Sequence, residues 1–109
     1  MLLKAQNVSE FKMNLSNFEV IRSVDKVNIN WKINDRSSSN YFEVEKSNDG
    51  KNFKTVAYVL GPDPRKTNND FGCFDKINSA SKRLYYRLKK VDANGTFEFS
   101  EIKMIAINK

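Results

Sequence analysis

A chain of 109 residues has room for one hydrophobic core, so a single domain is expected. Hydrophobic residues at 39% and aromatic residues at 12% lie far from the composition of a disordered chain, and no apolar run reaches the ~20 residues of a membrane span. Nineteen Lys and Arg against thirteen Asp and Glu give a net charge of +6, but the basic residues are dispersed from Lys4 to Lys109, which argues for a solvated surface rather than a nucleic-acid track.

Residues 1–15 carry no strand or helix pattern and read as a flexible N-terminal segment ahead of a domain over 16–109. Within it, Met1-Leu2-Leu3-Lys4-Ala5-Gln6 is compatible with the tail of a secretory signal cleaved near Ala5, the alternative being an ordinary frayed terminus.

From there the period is two, not 3.6, throughout. Phe18–Arg22 forms a first strand closed by a turn at Val24-Asp25-Lys26. Val27, Ile29, Trp31 and Ile33 alternate with Asn28, Asn30 and Lys32 in the second. After a polar loop at 34–40, Tyr41–Ser47 sets Phe42 and Val44 against Glu43 and Glu45. Asn48-Asp49-Gly50-Lys51 is a hairpin signal leading into a strand over Phe53–Leu60. Gly61 to Asn69, with two prolines, is the longest loop. Asp70–Asp75 is a short strand, and Arg83–Asp92 is a long one after a polar crossing at 78–82. Asn94-Gly95 marks a second hairpin, and Thr96–Ile107 completes the set. Seven strands with regular turn signals and no helix predict an all-β, antiparallel sandwich of the immunoglobulin type.

The chemistry-bearing side chains are few. Histidine is absent, which removes the commonest general base and any Ser-His or Cys-His pair, so no enzyme activity is expected. Cys73, the one cysteine, lies between Phe71 and Phe74 and reads as a buried, unreactive thiol. Glu43 and Glu45 share a strand face about 7 Å apart, a glycosidase-like spacing, but without a cleft they read as a solvated ladder. Asn48, Asp49 and Asn52, or Asn68, Asn69 and Asp70, offer oxygen ligands, yet turn chemistry explains both runs, and no metal or cofactor is expected.

The row Arg83, Tyr85, Arg87 and Lys89 is the candidate binding face. Period-two geometry puts these four on the outward side of one strand, where cations interleaved with an aromatic could hold an anionic glycan or another polyanion, the loop from Gly61 to Asn69 being the other candidate surface. If Tyr41–Ser47 pairs with this strand, Glu43 and Glu45 oppose Arg87 and Lys89, and cross-strand ion pairs neutralise much of the row.

Trp31, the segment from Tyr41 to Phe53 (YFEVEKSNDGKNF) and the segment from Tyr85 to Gly95 (YYRLKKVDANG) resemble fibronectin type III-like domains of secreted Bacteroidetes proteins. Such domains often precede a sorting module of the type IX secretion pathway. The resemblance covers the chain from about Phe18 onward. It implies a secreted, cell-surface or periplasmic accessory module whose partner is another protein or a neighbouring domain, with an anionic glycan as the alternative ligand and neither nucleic acid nor membrane insertion. It also makes Trp31 the central core aromatic, with Phe42, Val44, Tyr86 and Leu88 around it, and gives Tyr86 a hydroxyl that ties down a loop. The competing role for Trp31 is a sugar-stacking platform.

Overall fold

The computed structural model describes residues 15–33, 39–61, 70–77 and 82–107. The proposed leader at 1–6, most of the loop at 34–40, the proline-containing loop and most of the 78–82 crossing fall outside these residues.

Among the described residues eight antiparallel strands form two sheets: β1 (Leu15–Arg22), β2 (Lys26–Ile33), β3 (Ser39–Ser47), β4 (Lys54–Leu60), β5 (Asp70–Lys76), β6 (Arg83–Asp92), β7 (Phe97–Phe99) and β8 (Lys103–Ala106). One sheet has the order β1-β2-β5 and the other β4-β3-β6-β7, with β8 also paired to β6. Their inner faces meet in one core of alternate residues, Val27, Ile29, Trp31 and Ile33 from β2, Phe42 and Val44 from β3, and Leu84, Tyr86 and Leu88 from β6. Trp31 is 2% exposed; its ring meets Phe42 edge-on at 5.3 Å and stacks on Phe71 at 5.9 Å. That position makes it a core aromatic and excludes the sugar platform.

The strand count is eight rather than seven because the final strand is interrupted at Ser100. The Ser100 N–H donates to the Leu88 carbonyl, but the Leu88 N–H donates to the Ser100 hydroxyl, 2.8 Å away, instead of to a backbone carbonyl. The ladder breaks and one residue is inserted: Phe99 pairs with Lys89, whereas Lys103 pairs with Tyr86. A one-residue shift exchanges the faces of a strand, so Phe97 and Phe99 point outward while Ile105, with the same odd parity, packs on the core. The preceding turn cooperates. Asp92 donates to the Thr96 carbonyl and accepts from the Gly95 N–H, closing a three-residue loop over Ala93-Asn94-Gly95 with Gly95 at φ 93°. A two-residue turn at Asn94-Gly95 would have paired Phe97 with Asp92 and sent both phenylalanines inward.

A second bulge lies in β1, where Leu15 and Ser16 pair in one register and Glu19 onward in another; Asn17 adopts φ 56° there.

Two polar groups sit between the sheets. The Tyr86 hydroxyl donates to Asp75 Oδ2 at 2.8 Å, and Lys46 Nζ lies 2.8 Å from the same oxygen. Tyr86 therefore ties its sheet to β5 across the sandwich, not to a loop, because its side chain crosses the core rather than pointing along the strand end. At the other end of β6, Lys90 is 7% exposed, with Asp92 Oδ1 at 3.5 Å and Glu98 Oε2 at 3.6 Å. Burial raises the Glu98 carboxyl above its ordinary value, and the nearby Lys90 charge partly offsets this.

The β3–β4 turn is held by Asp49, which accepts from the Lys51 and Asn52 N–H groups, from the Ser47 hydroxyl and from the Asn52 amide. These bonds, led by the two backbone donors, hold its carboxyl well below the ordinary value of 3.8. Because the folded value is depressed, the contribution is present above the unfolded value and is lost as pH falls toward the folded one. Asp49→Ala should therefore flatten the loss of stability between pH 5 and pH 2, as read by urea midpoints. An unchanged acid limb would mean that the turn forms without the carboxylate.

Candidate functional site

The outward face of the β4-β3-β6-β7 sheet carries the four residues proposed from the sequence, and each has a different fate. Arg83 is exposed at the start of β6, opposite Ala106. Tyr85 lies against the β3–β4 turn, where a Cβ on Gly50 would stand 3.3 Å from its ring; with φ 77° there, only glycine fits without strain. Arg87 is held twice over. Its Nε donates to Glu45 Oε1 at 2.7 Å, and its guanidinium lies between the rings of Phe53 and Phe99, 4.1 and 4.0 Å from their centroids. Lys89 places its ammonium 4.4 Å from the Phe97 centroid.

The expected cross-strand pairing is present in register, with Glu43 opposite Lys89 and Glu45 opposite Arg87. Only Arg87 and Glu45 close an ion pair. Glu43 instead accepts from the Thr55 hydroxyl at 2.8 Å. Nor is this a solvated ladder: Glu43 and Glu45 are 9% and 8% exposed, covered by the flanking long side chains on a four-strand surface. Partial desolvation, followed by the charge and hydrogen bond of Glu43, raises the Tyr41 hydroxyl above its ordinary 10.0.

Cross-strand register arranges the face in rows. One row runs Leu60, Tyr41, Val91 and Phe97; the next runs Tyr58, Glu43, Lys89 and Phe99. Tyr58, Leu60 and Phe97 are 71%, 83% and 52% exposed. The ring centroids of Tyr41 and Tyr58 lie 6.2 Å apart, and those of Phe97 and Phe99 5.6 Å apart. The residues around Lys89 were not legible from strand periodicity alone. Alternation in Phe97-Glu98-Phe99 was a signal, but the face it reports depends on the length of the 93–95 turn.

On the opposite sheet, a cavity of about 450 Å³ is lined by Asn17, Glu19, Asn30, Lys32 and Asp70 at the β1 bulge, with Trp31 and Phe71 beneath. Lys32 and Asp70 pair across it at 3.4 Å.

Cys73 is half-buried rather than fully buried, since β5 is an edge strand and the neighbouring strand covers it on one side only. Burial, and to a lesser extent the Asp75 charge, push its thiol up to about 11. Labelling by a thiol reagent at pH 8 should be slow in the native protein and complete in denaturant; rapid native labelling would contradict this environment. Asp49 spends its oxygens within its own turn, and Asn68 and Asn69 lie outside the described residues. Among the described residues no group of three or more acidic or cysteine side chains is arranged to hold a metal ion, and no helix is long and apolar enough to cross a membrane.

No protein-family model matches the sequence, and no curated protein matches it. Solved structures do. The chain is similar to the pectate lyase PelI from Erwinia chrysanthemi in complex with tetragalacturonic acid, with a TM-score of 0.61 at 15% identity over 86% of this chain and 28% of that one. It is similar to a β-1,2-glucanase from Parabacteroides distasonis, with a TM-score of 0.60 at 21% identity over 87% of this chain and 12% of that one. For the pectate lyase Pel3 from Pectobacterium carotovorum the values are 0.58, 16%, 83% and 26%. At these identities the likeness concerns the fold, and the chain spans little more than a quarter, or less, of each of these longer chains: its two-sheet antiparallel sandwich recurs as one part of larger proteins.

Proposed function

We propose that this chain is a fibronectin type III-like, non-catalytic accessory module of a secreted or surface-exposed protein. The observation that carries the reading is the mismatch of lengths: more than four fifths of this chain matches 12–28% of two pectate lyases and a glucanase, as an appended unit would. Sheet order supports the fold assignment. In constant-type immunoglobulin domains the fourth strand joins the sheet of the first, second and fifth, whereas here β4 pairs with β3.

The absence of histidine and the engagement of Glu43, Glu45 and Asp75 support a non-catalytic role. Glu45 is bound to Arg87, Glu43 accepts from Thr55, and Asp75 is shared by Lys46 and Tyr86. A general acid needs a free carboxyl beside a substrate cleft. Incubation of the protein with polygalacturonate and with β-1,2-glucan should release no unsaturated products or reducing ends. Depolymerisation that survives repurification would overturn the reading. The partner of such a module is a neighbouring domain or another protein, and export is tested by fractionating cells that produce the full-length parent.

A further inference from the structure

We infer that the outward face of the β4-β3-β6-β7 sheet binds an acidic polysaccharide laid across the strands, with Tyr58, Tyr41, Phe97 and Phe99 stacking on its sugar rings and Lys89 taking a carboxylate. The inference builds on the accessory-module reading and names the ligand class for one face of it.

Three observations converge on that face. First, large side chains that a solvated sheet would not display are exposed together: Leu60 at 83%, Tyr58 at 71% and Phe97 at 52%. They belong to two adjacent cross-strand rows, so the patch crosses all four strands, a width of about 14 Å at the usual strand spacing. Half-buried Tyr41 and Lys89 lie between these exposed edges, and large apolar side chains gathered on one sheet face mark a contact surface.

Second, the rings are braced by neighbouring side chains. Phe99 is clamped on Arg87 at 4.0 Å, and Arg87 is itself bound to Glu45 at 2.7 Å. Phe97 is braced by Phe99 and by Lys89, and Tyr41 is anchored beside Glu43 and Tyr58. A pre-ordered aromatic surface binds with little loss of side-chain freedom. Ring faces flanked by tyrosine hydroxyls suit a pyranose, which presents C–H groups on its face and hydroxyls at its rim.

Third, the charges select an anion. Glu45 is neutralised by Arg87, and Glu43, which keeps its charge opposite Lys89, accepts from the Thr55 hydroxyl and is only 9% exposed, so little carboxylate surface is open to a ligand at the centre of the sheet. Arg87 is neutralised. Among the described residues Lys89 forms no ion pair, and its ammonium stands beside Phe97 with tyrosines on one side and phenylalanines on the other. A lone cation between two aromatic pairs is complementary to a uronate between two stacked sugars. A nucleic-acid strand would need a line of free cations along the backbone, and the pairing of Arg87 interrupts such a line.

The test is affinity electrophoresis and calorimetry of the 109-residue protein with polygalacturonate and with a neutral β-glucan. Polygalacturonate should bind and the neutral glucan should bind at least about tenfold more weakly. Tyr58→Ala and Phe97→Ala, both at exposed positions that leave the core intact, should each weaken binding about three- to tenfold, the scale of one aromatic contact. Lys89→Gln should remove most of the preference for the acidic polymer, whereas Lys32→Gln, an equal loss of charge on the other sheet, should not. The inference fails if neither polymer is retained, if the aromatic substitutions leave binding unchanged, or if Lys32→Gln weakens it as much as Lys89→Gln, which would reduce it to bulk charge. Such a failure would leave the accessory-module reading standing, because that reading falls to depolymerase activity or to the export test, and neither depends on this ligand.

Discussion

Trp31→Ala should lower the stability of the domain by about 3–5 kcal/mol, a large share of the roughly 5–15 kcal/mol available to a domain of this size. Trp31 is 2% exposed and joins the two sheets, edge-on to Phe42 of the opposite sheet and stacked on Phe71 of its own. Truncation removes both ring contacts and leaves a cavity that neighbours on rigid strands cannot close. The thermal midpoint should fall by about 15 °C or more. Trp31→Phe is the informative partner. The indole N–H is buried with no hydrogen-bond partner among the described residues, so phenylalanine loses area but no polar bond and should cost well under half as much. Equal stability of the alanine variant and the wild type, by urea titration, would show that the indole is not central to the core.

The second large effect is expected at Asp75. Its carboxylate receives both the Tyr86 hydroxyl and the Lys46 ammonium, each at 2.8 Å, and so joins β5 to the opposite sheet at two points. Asp75→Ala strands an ammonium and a phenol in the sandwich. The expected loss is about 2–4 kcal/mol, below that of a fully buried pair because Lys46 and Asp75 keep 16% and 20% side-chain exposure and water can reach them. Tyr86→Phe removes one donor and should cost about 1–2 kcal/mol. Both changes break the same bond, so the double variant should be less destabilised than the sum. Additivity would show that the hydroxyl and the carboxylate act independently. The Tyr86 hydroxyl is also shifted far upward, by burial first and then by its bond to Asp75 and that charge, so this phenol stays protonated in the alkaline range where an exposed tyrosine ionises. The tie between the sheets consequently persists there, and the donor in this network is not lost near the ordinary value of 10.0.

A purely local rule explains why so many strands were readable from the residues. Where both neighbours of a strand are regular, one buried face forces strict alternation, and Val27-Ile29-Trp31-Ile33 or Leu84-Tyr86-Leu88 can be placed by counting. The limits of β6 and the facing of Glu43 and Glu45 toward Lys89 and Arg87 follow in the same way. Counting fails at irregularities. The break at Ser100 depends on a hydroxyl replacing a backbone acceptor for Leu88, a choice made between strands and invisible along one of them.

The candidate face divides along the same line. By itself the sequence determined the two-sheet β pattern, the core facing of Trp31, Phe42, Val44, Tyr86 and Leu88, and the outward row of Arg83, Tyr85, Arg87 and Lys89, because each rests on period two within a single strand. Tertiary structure alone decided what that row can do. The three-residue turn at 93–95 and the insertion at Ser100 turned Phe97 and Phe99 to the same side as Lys89, and the β3–β4 register brought Tyr58 and Leu60 beside them. Arg87 was thereby locked between rings and a carboxylate, and Lys89 was left as the central cation of an aromatic surface, since which side chains meet across a sheet is set by register, and register is a property of paired strands.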